Sequence, residues 1–147
     1  MQTPILFFIV ILVFSSESPS DAVTVEPPSP LGAVWNHISL LMEAVKQKDM
    51  EVVAQLFEVE QADFPNLDRF IEVYQGQNIH VDNAILQEDG ITISANIKIG
   101  EKFPATFTLI KINSMTGLRI TGILSEKLGK GCTASEGILG CAVKILE

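Results

Sequence analysis

Ile91-Thr92-Ile93-Ser94-Ala95-Asn96-Ile97-Lys98-Ile99 alternates without a break: every odd position is apolar and every even position polar. That is the period of a strand with one greasy face and one face turned to water or to a more polar layer. Neighbouring stretches extend the pattern. Upstream, Asp89-Gly90 is a two-residue hairpin signal, and Gln77 to Leu86 reads as a strand with Ile79, Val81 and Ile85 on one face. Downstream, Gly100-Glu101-Lys102 makes a turn, after which Phe103, Ala105, Phe107 and Leu109 alternate with Pro104, Thr106 and Thr108. The alternation slips at Ile110 and Ile112, which predicts a bulge that bends the strand. A fourth strand, Leu118 to Leu124, completes a meander. Ser125 to Gly140 is rich in glycine and small residues, and Ala142 to Leu146 is read as a short strand or a docked tail.

The greasy face of such a sheet needs a cover, and the residues before it supply one. Ser29 is an N-cap and Pro30 a pre-set first helical residue. Leu31, Val34, Trp35, Ile38, Leu41, Met42 and Val45 then follow at helical spacing, with Asn36, Ser39, Glu43 and Lys46 opposite. The helix breaks at Gln47-Lys48. Asp49 caps a second helix with Met50, Val53, Leu56 and Phe57 on its apolar side, and Asn66 caps a third in which Leu67, Phe70, Ile71 and Tyr74 share a side before Gly76 ends it. Helices followed by an antiparallel meander make an α+β fold, with amino-terminal helices packed on a curved antiparallel sheet.

Residues 1–22 read as a secretory signal peptide: Ile5 to Phe14 is an unbroken apolar run, too short for a comfortable span of about 20 residues, and small polar residues follow it. Met1-Gln2-Thr3 offers only the terminal amine as positive charge. Ser20 and Ala22 suit the cleavage subsites, so the mature start is placed near Val23 and the protein is expected to be secreted. An uncleaved anchor is the competing reading, disfavoured by the short run. Residues 23–30, with Pro27, Pro28 and Pro30, form a flexible lead-in. Cys132 and Cys141 are expected to pair as a local disulfide in an oxidising compartment. The formal charge of −8 argues against nucleic acid, which demands a basic patch.

The helix corner carries a family resemblance. The segment Ile38 to Phe57, a helix ending in Ala-Val-Lys, a break with Asp49 and a second helix ending in Leu-Phe, resembles the opening of nuclear transport factor 2-like domains. The likeness extends over residues 31–124 in element order, with 125–147 as a Gly-rich tail. It implies a cone-shaped fold, as in the SnoaL-like members of that group, with an apolar interior that is filled by side chains or open to a small molecule. The chain departs from the family between Glu58 and Asn66, which is too short for the usual first hairpin, so a smaller cone is expected. Cystatin-like proteins share a helix-wrapped sheet, but their Gln-x-Val-x-Gly hairpin is absent.

Function is less constrained. The resemblance implies a pocket lined by Trp35, Ile38, Phe57, Phe70, Tyr74, Ile93 and Phe107. Catalytic members place an acid, a tyrosine or a histidine in the cone; here that leaves Tyr74, taken to be core with its hydroxyl at the rim, with His80 and Asp82 on one strand face or Asp63 in a loop. His37 is expected at the surface. No cofactor motif, phosphate cradle or metal-ligand spacing is present, so no cofactor or metal is expected. The primary expectation is a non-catalytic binding domain for a small hydrophobic ligand or a protein partner, including a second copy through the sheet. The alternative is a small isomerase- or dehydratase-like enzyme.

Overall fold

Ser29 starts a helix as its side chain suggests: Oγ accepts the Gly32 amide at 3.1 Å, and α1 runs Pro30–Lys46. The computed structural model describes residues 29–113 and 117–147; the expected signal peptide and most of the lead-in lie outside these. Val34, Ile38, Leu41 and Val45 are buried along one side of α1, while Leu31, at the first turn, is exposed. Asp49 accepts the Val52 amide at 3.2 Å and opens α2, Met50–Leu56. His37 is not a surface residue. It is buried, and its Nε2 lies 3.0 Å from the Leu56 carbonyl, which fixes the corner between α1 and α2. Burial disfavours the charged imidazolium and lowers its pKa, only partly offset by that hydrogen bond.

A short 3-10 turn, Gln61–Asp63, precedes α3, Asn66–Tyr74. Asn66 does not cap α3 as expected. It lies in the first turn and its amide donates to Asp63 Oδ1 at 2.7 Å, while Pro65 takes the cap position. Phe70, Ile71 and Tyr74 bury the inner side of α3.

Five antiparallel strands follow in the order β1-β2-β3-β4-β5: Ile79–Leu86, Thr92–Ile99, Phe103–Asn113, Gly117–Ser125 and Lys130–Thr133. The sheet is not closed, and β1 and β5 are its edges. On β2, Ile93, Ala95, Ile97 and Ile99 are buried, whereas Ile91 lies in the preceding turn and is exposed. That turn is a loop, not a two-residue hairpin. Asp89 Oδ1 accepts the amides of Ile91 and Thr92 at 2.9 and 2.8 Å, and Gly90 takes the left-handed conformation at φ +77°. Ile85 is also displaced from its expected face. The β1–β2 register shifts between Val81 and Asn83, which turns Ile85 outward to 60% exposure. The predicted irregularity in β3 is present at Ile112, which the register skips between Lys111 and Asn113; a second shift, at Thr108/Leu109, has its extra residue, Thr121, on β4.

The carboxyl-terminal stretch is structured well beyond a tail. β5 pairs with β4, a 3-10 turn follows at Ala134–Glu136, and α4 spans Ile138–Leu146. Cys132 and Cys141 are disulfide-bonded and so join β5 to α4. α4 packs against α3 and β4. Beside β4, where β5 has ended, Phe57 bridges to Ile120 and Glu58 donates to the Ile120 carbonyl at 2.8 Å. The core between helices and sheet holds Ile38, Phe57, Phe70, Ile93, Phe107, Ile120 and Ile138, all fully buried. Removing each such side chain from water contributes roughly 1.5–3 kcal/mol.

Candidate functional site

Two helix ends and the first residue of the sheet leave a gap. α1 offers Leu41, Met42, Val45 and Lys46 over its last turns, a spacing that keeps all four on neighbouring faces. α3 offers Phe70, Tyr74 and Gln75, Gly76 ends it in the left-handed conformation, and Gln77 and Asn78 lead into Ile79 on β1. Together these line a cleft of about 370 Å³. It opens to solvent at Lys46, Gly76 and Asn78, all exposed. A volume of this size falls at the lower end of ordinary small-molecule sites, roughly 300–1,000 Å³.

The walls are held in place by polar contacts behind them. The Gln75 side-chain amide donates to the Val45 carbonyl, tying α3 to the end of α1. The Ile79 amide points at Met42 Sδ, 3.4 Å away. Phe70 and Tyr74 stack with centroids 4.3 Å apart and form the apolar floor. The Tyr74 hydroxyl does not reach a rim. It donates to the Ala142 carbonyl of α4 at 2.7 Å, and burial pushes its pKa far above the usual phenol range. A phenol in that state is a fixed donor rather than a base.

Of the seven residues expected to line a pocket, Phe70 and Tyr74 border this cleft. Ile38, Phe57, Ile93 and Phe107 are fully buried core and border none of the clefts described. Trp35 is half-buried, with its ring edge-on to His80 at 5.4 Å. Leu41, Met42 and Val45 were readable as part of the α1 stripe, but a stripe reports burial and not whether the facing layer fills the space. Lys46 and Gln75 carried no signal beyond their place beside the helix ends.

The acid–base candidates are engaged elsewhere. Asp63, only 2% exposed, accepts the Leu139 amide at 2.7 Å and the Gly140 amide at 3.3 Å; it caps α4 from a distance in sequence. His80 and Asp82 face each other at 3.5 Å on the exposed side of β1. Tyr74 and Asp63 are thus committed to the backbone of α4, and His80 and Asp82 are paired at the surface. Among the described residues no group of three His, Cys, Asp or Glu side chains is placed to hold a metal ion, and no helix is long and apolar enough to cross a membrane. No protein-family model, curated protein or solved structure matches the chain.

Proposed function

We propose that this chain is a secreted, non-catalytic binding domain of the nuclear transport factor 2-like type that holds a small apolar ligand between α1, α3 and β1. One observation carries the reading: a cleft of about 370 Å³ walled by Leu41, Met42, Val45, Phe70, Tyr74 and Ile79. The engagement of Tyr74 and Asp63 by α4 supports binding over acid–base catalysis. The Cys132–Cys141 disulfide and the apolar run Ile5 to Phe14 support an extracellular setting. A second reading, a protein partner or second copy on the outer sheet face, draws on Ile85 and Leu124, which stand 60% and 52% exposed there.

Titrating disulfide-bonded protein with Nile red, an uncharged hydrophobic probe, tests the first reading. Saturable one-to-one binding is expected, and Met42→Trp, which fills the cleft, abolishes it while lowering the unfolding free energy measured in urea by no more than about 1–3 kcal/mol. An absence of saturable binding, or binding indifferent to Met42→Trp, overturns the reading. Sedimentation of the same ligand-free samples tests the second, for which a monomer at every concentration is the negative result.

A further inference from the structure

The chain carries 18 acidic against 10 basic residues, yet the cleft is lined by one cation, Lys46, and by no aspartate or glutamate. The local charge therefore opposes that of the molecule. Lys46 sits in the last turn of α1 at the open side of the cleft. The ion pairs among the described residues are Arg69–Glu72, Arg69–Glu147 and Lys130–Glu136, with His80 and Asp82 in contact at 3.5 Å, and Lys46 enters none of these. Glu43, one turn back on the same helix, accepts a hydrogen bond from Gln47 at 2.6 Å. Lys48, the other cation near this corner, borders a neighbouring cleft with Asp68 and Glu72, whose charges offset it.

We infer that the ligand of this cleft is a single-chain amphipath with a carboxylate head, its chain against Phe70, Tyr74 and Met42 and its head at the Lys46 ammonium. The inference rests on the apolar-ligand reading above and adds the chemistry of the head. A carboxylate is favoured over a phosphate because a single lysine balances one charge. A phosphomonoester carries close to two and draws several donors, arginine foremost. In a molecule of net charge −8 the second charge would stand unbalanced. Lys46 is exposed, so its pairing with the head is screened by solvent and sets preference more than affinity.

Displacement of Nile red at pH 8 and low salt by dodecanoate, dodecanol, dodecyl phosphate and dodecyltrimethylammonium tests it. Dodecanoate is expected to displace the probe at about fivefold lower concentration than dodecanol, and ahead of dodecyl phosphate. Lys46→Gln removes that margin while leaving dodecanol unchanged, and Lys46→Glu shifts preference to dodecyltrimethylammonium. Equal displacement by dodecanol, a carboxylate preference that survives Lys46→Gln, or a lead for dodecyl phosphate overturns the inference with the apolar-ligand reading intact. If Nile red itself fails to bind, both fall together.

Discussion

Two seams of the helix layer are tied in different ways. Around α4 the polar ties are dense: Asp63 caps the α4 amides, the Tyr74 hydroxyl of α3 donates to the Ala142 carbonyl, Lys127 Nζ reaches the Ile145 carbonyl at 3.1 Å from the β4–β5 turn, and the disulfide fastens α4 to β5, while a surface cleft of about 420 Å³ lies between α3 and α4. Between α1, α3 and β1 the seam is left open, with a cleft, a cation at its mouth and one side-chain amide tying the helix ends. Polar contacts made by distant residues have been concentrated on one side of α3.

Breaking the ties to α4 should cost most. Asp63→Ala leaves the buried amide of Leu139 and the half-buried amide of Gly140 without their charged acceptor and is expected to lower stability by about 3 kcal/mol, measured by urea unfolding. Asp63→Asn, which keeps the shape and an acceptor oxygen, should lose distinctly less. A loss under about 1 kcal/mol for Asp63→Ala would mean that packing alone seats α4. Next comes the disulfide, whose partners lie nine residues apart in sequence. Replacing both Cys132 and Cys141 by serine should cost about 2–3 kcal/mol through the freed denatured chain, and native-state hydrogen exchange should locate the added opening in α4 and β5. Protection lost equally across β1 to β3 would contradict a local role.

Tyr74 belongs to both seams and separates them with the smallest change. Tyr74→Phe keeps the ring stacked on Phe70 at the cleft floor but gives up the bond to Ala142. The expected result is about 1 kcal/mol less stability with unchanged Nile red affinity. An affinity that falls with stability would show that the hydroxyl positions the cleft wall as well as α4.

The sheet could be read directly because Ile93 to Ile99 combine strict period two with a single buried face, and one residue of slip would have exposed all of them. Ile85 was misplaced because the β1 irregularity at Asp82 leaves no mark in local composition. α4 was missed although Ile138, Leu139, Ala142 and Ile145 are buried at helical spacing. Gly137 and Gly140 disguised it as a loop. Gly137 is left-handed at φ +80° and precedes the helix. Gly140 lies inside it, where a Cβ would come within 3.1 Å of the Asn66 amide nitrogen, so this glycine admits the Asp63–Asn66 cap. Neither the cap nor the cleft has a local signature. One joins residues far apart in the chain, and the other is a volume that three elements leave unfilled.

The Asp63 cap has a temporal side. The carboxylate and the Leu139 amide are 76 residues apart, and a ribosome adding roughly 5–20 residues per second separates their appearance by about 4 to 15 s. For that interval Asp63 has the Asn66 amide beside it but neither of the α4 amides that it caps in the finished fold. The contact that seats α4 in the finished domain is thus among the last that the growing chain can make.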